Sequence, residues 1–366
     1  MLINNKAFQS IWINEALDSV MIIDQRYLPH QLQIVKLNSV DEVYHAIRDM
    51  LVRGAPLIGV TAAFGLYFAC MESVESDDAD TVIRKAAEKI KSSRPTAVDL
   101  FKSVDTMTKA VLAETHTQKR AGLSKKFAVD MMNASVEACR AIGEYGLEII
   151  EKMYRQKGEC VNILTHCNAG WLATVDYGTA TAPIYLAHQK GIPLHVWVDE
   201  TRPRNQGAAL TAFELQQQGI NCTLICDNTG GHLMQKGMVD MVIVGADRVT
   251  KSGDAANKIG TYLKALAAND NSIPFYVAVP SSSIDFSISD GLREINIEER
   301  DEDEVKYVTG WEGGQYHKVL ICPEATKALN IGFDVTPARF ISGIITERGV
   351  CDASEEALRK LFPEEY

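Results

Sequence analysis

The sequence predicts an α/β protein: an N-terminal, mainly helical domain with a small strand element, then a C-terminal domain built on a parallel sheet. Three observations carry this. Apolar, β-rich runs recur at 160–166, 194–199, 221–226, 241–245 and 274–279. Helix-like segments at 178–190, 207–218, 230–237 and 256–268 separate them. Strands that are apolar throughout and alternate with helices belong to a parallel sheet covered on both faces. Before residue 153 the rhythm is instead helical, and 366 residues are enough for two domains, here 1–153 and 154–366.

In chain order, 10–14, 19–24 and 32–37 read as short strands. Ser39 then caps a helix that carries Val43, Ile47, Met50 and Leu51, with Asp41 and Glu42 in its first turn. Arg53-Gly54-Ala55-Pro56 breaks it, and a small-residue helix follows over 57–70. Segments 78–91, 97–115 and 124–153 repeat apolar residues at helical steps. Gly191-Ile192-Pro193 and Gly219 end helices ahead of strands. Asp334-Val335-Thr336-Pro337-Ala338 reads as a helix start, with Thr336 as cap and Pro337 in the first turn.

Composition narrows the function. The net charge of -11 opposes binding to duplex nucleic acid. The short basic stretch Lys119 to Lys126 reads as a solvated loop, and the acidic runs Glu72 to Asp80 and Glu298 to Glu304 as solvated faces. Met1 to Lys6 lacks a basic region followed by an apolar core, and no uninterrupted apolar run approaches membrane-spanning length, so a cytoplasmic protein is expected. The eight cysteines are dispersed and expected to be free thiols. Cys222 and Cys226 read as small core residues of one strand, not as metal ligands. Gly170 and Gly178 are too far apart for a dinucleotide phosphate turn, which argues against hydride chemistry on a nicotinamide.

The candidate chemistry lies where strands end. Ile163-Leu164-Thr165-His166-Cys167-Asn168 stops an apolar run at a thiol; Met241 to Gly245 leads to Asp247. A thiol and a carboxyl group at two strand ends of one sheet suit proton transfer on a small molecule. The sign of any thiol shift stays open at this level, since a helix dipole would lower it and an apolar pocket raise it. Asp247 alternatively pairs with Arg248. His166 reads as structural. Asp199 to Gly207 gathers acids, arginines and amides in one loop, which suits an anionic, hydroxyl-bearing ligand. Lys258 offers a point charge to a phosphate, and Arg53 and Arg94 sit at breaks between helices.

Arg53-Gly54-Ala55-Pro56, Arg94-Pro95-Thr96-Ala97, Thr165-His166-Cys167-Asn168, Asp199-Glu200-Thr201-Arg202-Pro203, Gln206-Gly207, Gly245-Ala246-Asp247-Arg248 and Asn257-Lys258-Ile259-Gly260-Thr261 together resemble the methylthioribose-1-phosphate isomerases of methionine salvage. The likeness continues through Ile297 to Arg300 and Phe333 to Pro337, so it spans nearly the whole chain. It implies a Rossmann-like C-terminal domain, a homodimer, and aldose–ketose isomerisation of 5-methylthioribose 1-phosphate with no metal or organic cofactor. The catalytic pair implied is Cys167 and Asp247. The substrate positions implied are Arg53, Gly54, Ala55, Arg94, Gln206, Asn257 and Lys258. Asp99 stands where asparagine is common, and Asp227 to His232 departs from the usual segment. Isomerases of 5-deoxyribose 1-phosphate or ribose 1,5-bisphosphate are the enzymatic alternatives. Regulatory subunits of a translation-initiation exchange factor share the fold and need no catalytic pair. A bisphosphate enzyme needs a second cationic clamp, and none is evident in the sequence.

Overall fold

The computed structural model describes residues 1–14, 19–94 and 98–366; Pro95-Thr96-Ala97 of the second motif lies outside the described residues. After a short hairpin of Leu2–Ile3 with Lys6–Ala7 comes an antiparallel sheet of β1 (Ile11–Asn14), β2 (Ser19–Ile23) and β3 (Ile34–Leu37). Five helices follow: α1 (Val40–Arg48), α2 (Ala55–Ser73), α3 (Ala79–Ser92), α4 (Val98–Ala113) and α5 (Thr117–Lys157). Ser39 caps α1 by accepting from the Glu42 amide, as its sequence predicts. The centre of this half is α2, whose Leu57, Phe64 and Leu66 are fully enclosed by the surrounding helices. By length and composition α2 would suit a membrane span, contrary to the sequence reading, but its apolar surface is spent on packing against α3, α4 and α5.

Helix α5 is longer than its periodicity suggested. Lys119 to Lys126 forms its first turns, not a loop, because Arg120 turns inward to bond Asp80 at 2.6 Å. Its far end supplies Ile142, Leu147 and Ile150 to the second core.

That core surrounds the main sheet, built from β4 (Val161–Thr165), β5 (Leu194–Asp199), β6 (Cys222–Ile225) and β7 (Met241–Val244). A smaller sheet branches off through β8 (Arg248–Thr250) and β9 (Ala255–Lys258). The chain returns to the main sheet at β10 (Phe275–Ala278), then adds β11 (Ile284–Asp285) to the smaller one. A protruding hairpin, β12 (Tyr307–Glu312) and β13 (Gln315–Leu320), precedes β14 (Phe333–Thr336), β15 (Gly343–Thr346) and β16 (Gly349–Cys351). The main sheet runs β16-β15-β10-β7-β4-β5-β6, parallel except at the β15–β16 edge. Helices α6 (Ala182–Gln189), α7 (Ala212–Gln217), α8 (Gly230–Gln235), α9 (Thr261–Asp270) and α10 (Glu355–Leu361) complete the fold.

Three further expectations need correction. Residues 255–258 are a strand, because pairing with β8 and β14 on either side overrides their helix-favouring composition. Thr336-Pro337 ends strand β14 and leads into a single 3-10 turn, so no helix starts there. Cys226 is exposed and Cys222 half-buried, because β6 is the edge strand of the sheet. Gly230 and Gly231 form the first turn of α8, within the helix predicted over 230–237, and Asp227 braces the amides of Thr201 and Arg202.

The strand order fixes where a ligand goes. From β4 the chain proceeds outward to β5 and β6, then crosses to β7 on the other side. Strands β4 and β7 are direct neighbours, with Leu164 opposite Val242. Such a reversal opens a crevice beyond the carboxyl ends of the two strands. Truncating the fully buried Ile163 to alanine in β4 is expected to lower unfolding free energy by about 2–5 kcal/mol, read from the urea midpoint.

Candidate active site

Cys167 follows β4 and Asp247 follows β7, so the two candidate groups flank the crevice. The cleft there has a cavity volume of about 80 Å³ and is lined by Arg53, Gly54, Ala55, Arg94, Cys167, Gln206, Asp247, Asn257 and Lys258. All nine residues singled out from the sequence therefore border one space.

The thiol is held in place by backbone geometry. Cys167 has a φ of 65°, a left-handed conformation that a side chain disfavours. Its amide donates to Thr201 Oγ1 at 2.8 Å, and its carbonyl accepts from Thr211 Oγ1 at 2.6 Å. Its Sγ lies 3.3 Å from Gln206 Oε1, to which the thiol donates. Burial raises the thiol above its ordinary value, against the charges of Arg53 and Lys258. The sign left open by the sequence is that of a neutral thiol.

Asp247 is exposed to the open cleft, though protein packs closely about it. That enclosure raises its carboxyl, while Lys258, Arg53 and Arg94 pull the other way. The pairing with Arg248 considered from the sequence is absent among the described contacts; Arg248 instead faces Asp285 at 3.8 Å. Burial likewise lowers the Lys258 ammonium, opposed by Cys167 and Asp247. Lys258 lies over the Phe333 ring at 4.4 Å and donates to the Gly332 carbonyl at 3.1 Å. Asn257 is buried, its Nδ2 donating to Thr261 Oγ1 at 3.0 Å.

Arg53 is fixed by Asn168. Its guanidinium donates to Asn168 Oδ1 at 2.5 Å and to the Asn168 carbonyl at 2.9 Å. Asn168 Nδ2 in turn donates to Thr211 Oγ1 at 3.1 Å and to Glu214 Oε1 at 3.0 Å. Glu214, wholly enclosed, also accepts from the Leu172 amide at 2.9 Å and from Tyr185 Oη at 2.7 Å. Just after Arg53, Gly54 takes a φ of 95° and α2 begins without a side-chain cap. Gly54, Ala55 and Pro56 of this helix start line the cleft; Pro56 carries no N–H, so the Ala55 amide and the helix dipole are what it offers an anion.

His166 also lines the cleft, with both ring nitrogens engaged. Its Nδ1 meets Asp199 Oδ2 and its Nε2 meets the Ile259 carbonyl, each at 2.9 Å. His166, Asp199 and Asp227 gather closely enough to bind a metal. The cationic place beside them is taken by Lys264, whose Nζ lies 3.1 Å from Asp199 and donates to the Asp227 carbonyl at 2.6 Å.

Arg204, Glu298 and Arg300 also line the cleft. The run Glu298 to Glu304 is only partly a solvated face: Glu299, Asp301 and Glu302 are exposed, while Glu298, Arg300 and Glu304, two and four residues apart, fold onto the cleft rim. Arg300 bonds Glu304 through Nε and Nη2 at 2.9 and 2.7 Å, and Glu298 through Nη1 at 2.9 Å. Arg204 bonds Glu304 at 2.7 Å. Burial opposes the charge of Glu304, but Arg300 and Arg204 together hold its carboxyl down at about 2. The two extra arginines missed as a clamp are therefore present, with their charge already matched.

Comparison with known proteins places this geometry. A model described as the initiation factor 2 subunit family matches residues 51–353. The chain is 54% identical over 366 residues to the methylthioribose-1-phosphate isomerase of Desulfatibacillum aliphaticivorans, covering 100% of this chain and 99% of the relative. The crystal structure of 5-methylthioribose 1-phosphate isomerase from Pyrococcus horikoshii OT3 is 39% identical with a TM-score of 0.85, covering 98% of this chain and 97% of that one. The chain belongs to the methylthioribose-1-phosphate isomerases of the initiation factor 2 subunit family. A structure named as translation initiation factor eIF-2B, subunit delta, from A. fulgidus is also similar, at 36% identity and a TM-score of 0.81, covering 98% and 100%. Both neighbours share the fold, so the site must distinguish isomerase from initiation factor.

A methyl group on Gly54 would sit 2.3 Å from the Ala173 carbonyl oxygen. Gly54→Ala is expected to lower stability by more than about 2 kcal/mol in urea unfolding. Calorimetry should show weaker binding of inorganic phosphate to the variant, because the start of α2 is displaced.

Proposed function

We propose that this isomerase converts 5-methylthioribose 1-phosphate to 5-methylthioribulose 1-phosphate, with Asp247 and Cys167 moving the protons. The observation that carries the reading is that a neutral thiol and a raised carboxyl share one cleft with three cations and an uncapped helix start. The phosphate is anchored by Arg53, Arg94, Lys258 and the Ala55 amide at the start of α2. Gln206 and Asn257 orient the sugar. Such anchoring places the reacting carbons between the two groups and removes much of the entropic cost of meeting.

The phosphate on C1 blocks spontaneous ring opening, so acid assistance is needed. Protonated Asp247 donates to the ring oxygen as the C1–O bond breaks. The Cys167 thiolate, supported by Arg53 and Lys258, removes the C2 proton, and the C1–C2 enol forms. Cys167 then returns that proton to C1, and Asp247 takes the proton of the C2 hydroxyl as the ketone forms. Both groups end as they began. The required state, acid on Asp247 and charge on Cys167, is the minor one, since burial favours a neutral thiol. The rate is therefore expected to be flat across neutral pH. It should fall below the raised carboxyl value and again above the raised thiol value, whereas in Asp247→Asn the residual rate should climb with pH through the thiol value and show no fall beyond it.

Cys167→Ala is expected to reduce kcat by about a hundred- to ten-thousand-fold in a turnover assay. Wild-type protein that fails to turn over the aldose phosphate, or an alanine variant as fast as wild type, removes the isomerase reading and favours a role like that of the initiation-factor neighbour. Substrate deuterated at C2 tests the route: the relay predicts partial loss of label to solvent. Complete transfer to C1 indicates a hydride shift instead. The cleft can also accommodate 5-deoxyribose 1-phosphate, because an apolar pocket separates such analogues by only about 1–3 kcal/mol. Ribose 1,5-bisphosphate is disfavoured, because Glu298 and Glu304 already occupy the arginines that a second phosphate would need.

A further inference from the structure

Ser283 lines the cleft, and its Oγ donates to Asp99 Oδ2 at 3.3 Å. Asp99 does not line the cleft. It stands behind Ser283 in the first turn of α4, 4% exposed, and borders a second, more apolar cavity between α2, α4 and α5. Its Oδ1 is buried without a partner among the described residues. Burial raises its carboxyl to about 6, against hydrogen bonds from Ser282 and Ser283.

A serine hydroxyl has one proton and two lone pairs. While its proton is committed to Asp99, Ser283 can only accept from whatever enters the cleft. A phosphate dianion offers it no proton; a sugar hydroxyl does. We propose that Asp99 is a positioning residue that fixes Ser283 as the acceptor for a sugar hydroxyl of the substrate, a role that rests on the isomerase reading above. Asp99 thereby marks the sugar side of the cleft, opposite in chemistry to the cationic phosphate side. Protonation reverses the bond: Asp99 then donates to Ser283 Oγ, and the serine proton turns into the cleft. The other groups around Asp99 are Lys102 on α4, Glu137, Cys139 and Arg140 on α5, Glu347 after β15, and Asp247 across the cleft.

The test compares KM and kcat of wild type, Asp99→Asn, Asp99→Ala and Ser283→Ala from pH 5 to 8. The amide oxygen of asparagine accepts as the carboxylate does, so Asp99→Asn should keep the wild-type KM at pH 8. Asp99→Ala and Ser283→Ala should each raise KM roughly tenfold, and combining them should add little further. Below pH 6 wild type should lose affinity relative to Asp99→Asn; using that ratio cancels the titration of the substrate phosphate. Failure of Asp99→Asn alongside Asp99→Ala, or a wild-type to Asp99→Asn ratio constant across pH, overturns the proposal. Carbon-13 NMR of the full chain gives a readout independent of turnover. The Ser283 Cβ shift should follow the Asp99 carboxyl through its titration and stay flat in Asp99→Asn. A Ser283 signal indifferent to Asp99 overturns the proposal even if the isomerase reading stands, and a linked titration supports it even if that reading falls.

Discussion

The contact on which the cleft depends is the double hydrogen bond from Arg53 to Asn168. It ties the start of α2, in the helical half, to the residue that follows Cys167 at the end of β4. Behind it, Glu214 gathers Asn168, Tyr185 and the Leu172 amide into one buried group. Removing one member leaves polar atoms stranded without water, a loss of about 1–3 kcal/mol for each. The network thus makes the relation between the two halves at this point a matter of hydrogen-bond geometry as well as apolar packing. Gly170 is part of that demand: a side chain there would collide with the Glu214 carboxylate.

Around this anchor the cleft holds charges that burial disfavours. Enclosure pushes Cys167 and Asp247 toward their neutral forms and lowers Lys258; Lys258 opposes the shift of both acids and they oppose its own, while Asp247 adds to the rise of the thiol. The balance suits acid–base work, because small changes in surroundings move a proton between groups. It also explains the rim. Arg204 and Arg300 would add to a cationic excess, and Glu298 and Glu304 offset them through close pairs. Arg94 is itself paired with Glu298 at 4.0 Å, so a dianionic phosphate meets its least-matched attraction near Arg53 and the start of α2.

Much of this was legible in the sequence where local pattern and outcome coincide. The apolar runs became the strands of the main sheet, and Cys167 and Asp247 fell at the ends of two neighbouring strands because β4 and β7 meet at the reversal of strand order. What escaped was decided by distant partners. Ala255–Lys258 reads as helix until β8 and β14 pair with it. Glu298 to Glu304 reads as solvated until Glu298 and Glu304 close on Arg300 and Arg204. Glu214 gave no signal, since one glutamate in a helix looks like a surface residue, and only the fold encloses it against Tyr185 and Asn168. The position of Asp99 behind Ser283, 184 residues away in sequence, was likewise invisible.

The central claim is that one sugar phosphate bridges the ends of β4 and β7 beneath the start of α2. A crystal structure with the ketose phosphate bound tests it most directly. The account predicts the phosphate on Arg53, Arg94 and the Ala55 amide at the start of α2, with C1 and C2 between Cys167 Sγ and the Asp247 carboxyl group. A phosphate bound elsewhere, or a sugar whose C1 and C2 face neither group, would contradict it.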